Sequence, residues 1–241
     1  MTDAGARVEV KVLGGGAVKA VITELAEAFR QETGHAVATA FAPMGVVRQR
    51  LSAGEPADVV IMTDALIEEL VREGVIAPGT RVDIARTGVG VGVREGAPMP
   101  DISTPEAFRR TLLAATSIAY VDPAQGATSA VHFAAVLERL GIADAVKGKS
   151  RLLPGGFAAE AVAEGTAELV VHQISEILPV RGVTLVGPLP RDLQKVTTYS
   201  AAVAARSAAP EAARAFIAFV ARPAFKGRFA EAGLDYREAA A

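Results

Sequence analysis

The sequence has no cysteine and no tryptophan among its 241 residues. Without thiols there is no disulfide, no thiolate nucleophile, no iron–sulfur cluster and no cysteine-based zinc site, although the redox compartment stays open. Histidine is scarce as well. His35, His132 and His172 are too scattered for a helix-spaced metal pair, and no H-E-x-x-H occurs, so neither a metal nor another cofactor is expected. Lys+Arg number 25 against Asp+Glu 27, a net charge of −2. That balance argues against nucleic acid as the main partner, because neutralising phosphates takes a clustered excess of Lys and Arg. No run reaches the roughly 18 uninterrupted apolar residues that span a bilayer, so no membrane insertion is expected. Asp3, Arg7, Glu9 and Lys11 leave no apolar core for a secretory signal at the N-terminus. The expectation is a cytoplasmic location for the sequence as given, or the periplasm if a signal has been removed.

Apolar residues are what the chain has in quantity: 51% are hydrophobic and 22% charged, enough buried surface to exclude an intrinsically disordered chain. At about 100–200 residues per domain, the length allows one large domain or two small ones. Val8–Leu13 reads as a strand ending at Gly14-Gly15-Gly16. Val18, Val21, Ile22, Leu25 and Phe29 then recur at helical spacing, with Gly34 as a stop. Ala36–Phe41, Asp58–Met62, Val89–Val93, Ser117–Val121, Leu169–Val171, Val183–Val186 and Val196–Val203 read as further strands. Helices are expected at Val46–Ala53, Leu66–Glu73, Pro105–Ala115, Ser129–Leu140, Phe157–Ala163 and from Pro210 to Val220. Strands alternating with amphipathic helices mean an α/β fold with parallel sheet and right-handed crossovers. The chain divides into two similar blocks: residues 1–85 with 197–241 as lobe one and 86–196 as lobe two, crossing near Ala85–Gly88 and Gln194–Thr198. The cleft between them is the expected site, since open α/β sheets bind ligands beyond the carboxyl ends of their strands.

Four loops run from a strand into a helix start at 14–17, 42–46, 122–129 and 172–175. Unpaired N–H groups and the positive dipole end at each favour an anion. Gly15, Gly16, Ala17, Met44, Gly45, Thr128, Ser129 and Gln173 are therefore candidate ligand-binding residues. Arg48, in the first turn after Pro43-Met44-Gly45, offers a bidentate grip on a carboxylate, and Lys195 lies at the second crossover. Arg50 and Lys19 read as solvated. His132 sits in a first helical turn, where the dipole disfavours imidazolium, so it is a candidate base; a histidine simply bonded to backbone is the plainer alternative. His172 and Glu176, at the cleft mouth, are further catalytic candidates. The triple glycine lacks G-x-G-x-x-G spacing, and Gly148-Lys149-Ser150 has alanine at 143 and no strand before it, so neither supports nucleotide binding.

Several of these residues, taken together, resemble a family. Val12-Leu13-Gly14-Gly15-Gly16-Ala17, then Phe41-Ala42 leading to Leu51-Ser52-Ala53-Gly54-Glu55-Pro56-Ala57-Asp58-Val59, is similar to the molybdate-binding proteins of ABC importers. Asp122-Pro123, Gln173-Ile174-Ser175-Glu176 and Val196–Val203 follow in the same order. The resemblance implies a type 2 periplasmic-binding fold, two doubly wound lobes joined by two crossover strands and closing on a small anion. Where that family places hydroxyl residues this chain has Gly16 and Met44, and where a tyrosine often closes the site it has His172. Each hydroxyl donor missing from a desolvated oxyanion costs about 1–3 kcal/mol, so an organic carboxylate is expected in preference to molybdate. The resemblance implies a solute-binding protein with an ABC importer permease as partner. A related branch includes aconitate isomerase, so the alternative is a cytoplasmic isomerase moving a proton along an allylic carboxylate.

Overall fold

The computed structural model describes residues 7–236. Residues 1–6, which carry part of the leader reading, and 237–241, the tail of lobe one, lie outside the described residues. The first lobe opens with β1 (Glu9–Gly15), a 3-10 turn over Gly16–Val18, and α1 (Lys19–Thr33). Then come β2 (Ala36–Ala42), α2 (Met44–Ser52), β3 (Val59–Thr63) and α3 (Asp64–Arg72). β1 pairs in parallel with both β2 and β3. Gly34 closes α1 with the left-handed φ of 77° that a side chain would resist. Thr63 caps α3 by accepting from the Leu66 N–H.

β4 (Val82–Arg94) then crosses to the second lobe, which holds α4 (Pro105–Ala114), β5 (Ile118–Val121), α5 (Thr128–Arg139) and α6 (Ala143–Lys147). β6 (Ser150–Leu153), α7 (Glu160–Ala163), β7 (Leu169–Gln173), α8 (Ile174–Ile177) and β8 (Val183–Pro188) complete it. β9 (Val196–Val203) returns to the first lobe, followed by α9 (Pro210–Val220), α10 (Lys226–Glu231) and β10 (Asp235–Tyr236). Among the described residues the strand order is β2-β1-β3-β9-β4-β7-β5-β6, with β8 and β10 also on β4. The first half of β4 pairs with β9 through Gly88, and the second half, from Val89, with β7. No helix is long and apolar enough to cross a membrane among the described residues.

Each lobe has its own core. In the first, Phe29 meets Phe216 and Phe219 edge-on at 5.2 and 5.3 Å between ring centres. In the second, Phe133 packs on Tyr120 at 5.0 Å. Burying each such ring contributes about 1.5–3 kcal/mol. Two polar devices tie the chain together. Asp58 is 3% exposed, and its carboxylate accepts from the Lys11 N–H (2.8 Å), the Ser207 hydroxyl (2.7 Å) and the Ala208 and Ala209 N–H groups (3.0 and 3.2 Å). Burial pushes its pKa up, but those donors outweigh burial and hold it below the ordinary carboxylate value. At the crossing, the Gln194 side chain imitates a strand: Oε1 accepts from the Val89 N–H at 2.9 Å and Nε2 donates to the Val89 carbonyl at 2.8 Å.

Two expectations shift. The strand read at Val89–Val93 is the second half of a thirteen-residue β4. Asp83, Arg86 and Thr87 mask its start by breaking the apolar run. The helix expected from Phe157 begins only at Glu160, because Gly156, at φ 78°, turns the chain into a loop. Gly148-Lys149-Ser150 works as a helix clamp: Lys149 Nζ donates to the Leu113 and Ala115 carbonyls at the end of α4, at 2.6 and 2.8 Å.

Candidate functional site

Residues from all four strand–helix loops surround one small cleft between the lobes, of about 70 Å³. That is several times the roughly 10–15 Å³ one water needs. Gly16, Ala17, Lys19, Phe41, Ala42, Pro43, Met44 and Tyr199 line it from the first lobe. Val121, Ala127, Thr128, Ser129, Gly155, Gly156, Phe157, His172, Gln173 and Glu176 line it from the second. The walls touch through glycines. A Cβ on Gly16 would lie 2.3 Å from Glu176 Oε1, and one on Gly45 would lie 2.7 Å from the Gln125 carbonyl oxygen. Neither contact leaves room for a side chain.

The centre of the site is buried. The end of β7 and the start of α8 put His172 and Glu176 four residues apart on one side of a turn, and His172 Nδ1 lies 3.1 Å from Glu176 Oε2. The Ser129 hydroxyl is 3.4 Å from the same nitrogen, and the Gly156 carbonyl is 3.3 Å from Nε2. Burial lowers the His172 pKa, but the Glu176 charge, the bond to Glu176 and the Gly156 carbonyl together raise it above the ordinary histidine value. The Gln173 N–H also donates to Nδ1, at 2.8 Å. Glu176 Oε1 faces Gly16. Tyr199, on β9, accepts from Gln173 Nε2 at 3.3 Å and is bonded to the Thr128 side chain. Burial first, and the Glu176 charge second, push its phenol pKa far up, so it stays a protonated donor. Gln173 Oε1 is buried without a hydrogen-bond partner.

Backbone supplies the rest. Pro43 and Ala127 precede α2 and α5, and neither side chain can cap, so the first N–H groups of both helices have no side-chain acceptor. The positive ends of two dipoles therefore stand on opposite walls. Lys19, the first residue of α1, is the one permanent cation among the described lining residues, and its ammonium sits 5.0 Å above the Phe157 ring.

The sequence model of bacterial extracellular solute-binding proteins matches residues 10–235. The chain belongs to that family. An aconitate isomerase from a Pseudomonas species is 38% identical over 216 residues, 87% of this chain and 81% of that protein. The molybdate-binding protein ModA of Azotobacter vinelandii is 31% identical over 174 residues, 70% of this chain and 66% of that one. The solved A. vinelandii periplasmic molybdate-binding protein has a TM-score of 0.80 at 21% identity, covering 95% of this chain and 100% of its own. The fold is the type 2 periplasmic-binding one, with two doubly wound lobes joined by crossover strands.

Within this solute-binding fold the sequence-predicted residues divide. Gly16, Ala17, Met44, Thr128, Ser129, His172, Gln173 and Glu176 line the cleft. Gly15 lies beneath Met44, where a Cβ would fall 1.9 Å from its terminal methyl, and Gly45 abuts Gln125 and Gly126 at the rim. Three expectations are corrected. Arg48 grips no cleft carboxylate, because Glu69 of α3 and Glu73, the residue that follows α3, hold its guanidinium, each at 2.5 Å. His132 faces away from the cleft and its Nε2 is bonded to the Leu193 carbonyl at 2.7 Å, the plainer of its two readings. Lys195 is exposed and outside the lining. Arg50 is held by Glu55. Sequence reasoning missed Tyr199, which sits in an apolar strand and reads as core. It dismissed Lys19 as a helix-surface charge. The Gly155-Gly156-Phe157 loop carried a usable signal, two glycines before an aromatic, but a helix was assigned across its end.

Proposed function

We propose that the protein is an isomerase that moves a proton along a small allylic polycarboxylate, of the aconitate isomerase type. One observation carries the reading: the cleft wall holds a buried carboxyl group, Glu176, with Oε2 3.1 Å from His172 Nδ1 and Oε1 turned towards Gly16 across the cleft. A receptor for anions gains nothing from a fixed negative charge in its wall, whereas a general base needs one. The 38% identity with an aconitate isomerase along most of both chains supports the same reading.

In this scheme the lobes clamp the substrate, and the uncapped ends of α2 and α5 receive its carboxylates. Glu176 Oε1 removes a proton from the methylene beside one carboxylate, and the electron pair spreads through the neighbouring double bond into a carboxylate. The same proton, or one exchanged from water, is delivered to the far carbon of the allyl unit. The double bond moves by one position, with no atom gained or lost. His172, 3.1 Å from Oε2, keeps the carboxyl aligned. The Tyr199 hydroxyl and the helix ends donate to the charge that grows in the dienolate. Phe41, Met44 and Val121 keep water from it. A cytoplasmic location goes with this reading.

The second reading is a receptor that clamps an organic acid for an importer permease, and the family match with the uncapped helix ends favours it. Incubation with cis- and trans-aconitate in deuterated water, followed by proton NMR, separates the two. The isomerase interconverts them and takes up deuterium. Glu176→Gln loses about 10²–10⁴-fold of that rate while keeping the ligand-induced rise in melting temperature. Absence of both interconversion and exchange refutes the isomerase. Organic acids that still stabilise the protein, by about 2.7 kcal/mol at 100 times Kd, then leave the receptor.

A further inference from the structure

Most cations near the site are engaged by carboxylates: Arg48 by Glu69 and Glu73, Arg50 by Glu55. Lys19 is different. It lines the cleft, makes no ion pair among the described residues, and rests its ammonium on the Phe157 ring of the opposite lobe, 5.0 Å from the ring centre. It occupies the first position of α1, where the helix dipole disfavours a cation and where the first turn holds no acidic residue to offset it. An aromatic face is a weak seat for an ammonium at an exposed site, and a carboxylate displaces it readily. The opposite wall holds the buried Gln173 Oε1, which has no hydrogen-bond partner among the described residues.

We propose that Lys19 determines specificity by counting charges: it binds one carboxylate of the substrate that takes no part in the proton transfer, and Phe157 holds it when that carboxylate is missing. The inference rests on the polycarboxylate reading above and adds the residue that selects a tricarboxylate over its dicarboxylate analogue. A charge-assisted hydrogen bond of this kind corresponds to about 10–100-fold in affinity.

The test is a cycle between protein and ligand. Dissociation constants are measured calorimetrically for trans-aconitate, with three carboxylates, and for glutaconate, an allylic dicarboxylate, against Glu176→Gln protein with Lys19 intact and with Lys19→Met or Lys19→Arg added. With Lys19 present, the tricarboxylate is expected to bind about 10–100-fold more tightly. Lys19→Met removes that preference and leaves glutaconate nearly unchanged, and Lys19→Arg restores most of it. Equal weakening of both ligands, or of neither, by Lys19→Met overturns the assignment while the polycarboxylate reading stands. Failure of the Lys19-intact protein to bind either ligand overturns both.

Discussion

Gly16→Ala tests whether the cleft works with its walls in contact. The backbone at Gly16 does not require glycine, since its φ is not positive. The added methyl would nevertheless meet Glu176 Oε1 at 2.3 Å and Cδ at 3.3 Å across the cleft. To regain ordinary contact, Oε1 must retreat by about 1 Å, which misaligns it while Oε2 keeps its place beside His172. A displacement of about 1 Å in a reacting group costs on the order of 10²-fold in rate, or about 2.7 kcal/mol in the barrier. The fold should not suffer. Alanine narrows the unfolded ensemble, a gain of about 0.4–1 kcal/mol where the native backbone tolerates it. The expected pattern is an unchanged or slightly raised melting temperature with aconitate isomerisation down about a hundredfold. A loss of less than about tenfold would show that Gly16 and Glu176 do not meet in the reacting state. Lost activity accompanied by a lower melting temperature would refute the reasoning differently, by locating the effect in folding.

Asp58→Ala leaves the Lys11 and Ala208 N–H groups and the Ser207 hydroxyl without their acceptor, while Ala209 N–H keeps the Ser207 oxygen, and is expected to cost about 3 kcal/mol in chemical denaturation at neutral pH. Because the folded pKa of Asp58 is depressed, its contribution is complete above the ordinary carboxylate value of about 4 and fades as pH falls through the lower folded value; the gap between wild type and Asp58→Asn should close only there. His132→Ala breaks one bond to the Leu193 carbonyl, so stability should drop by about 1 kcal/mol while isomerisation and ligand affinity stay at wild-type level. Arg48→Ala should likewise leave both unchanged, and a large loss of turnover in either variant would return that residue to the site.

The amino-acid order made the architecture readable because the apolar spacing changes with each element. Leu25 and Phe29 face the core at helical intervals, and Val59 to Met62 form a continuous buried run. Three of the four loops were legible for a local reason too, as glycine or proline stands in 14–17, 42–46 and 122–129 where the strand gives way to a helix. The side chains in the site were harder. Arg48 looks like a carboxylate ligand until α3 and its C-terminal cap bring Glu69 and Glu73 to it from 21 and 25 residues away. Tyr199 and Thr128 meet only because β9 returns from the second lobe, and nothing local to either residue encodes that meeting. His172 and Glu176 were within reach because both lie in one short turn.

β4 belongs to both sheets, hydrogen-bonding β9 and β10 along its first half and β7 and β8 along its second. Cutting the chain at Gly88 would therefore strip each half of a strand it needs in mid-sheet, exposing unpaired amides to solvent. Neither half is a portable module that could be expressed, transplanted or melted separately. Mechanical load on one lobe passes directly along a continuous backbone into the other, so the molecule should come apart in a single step.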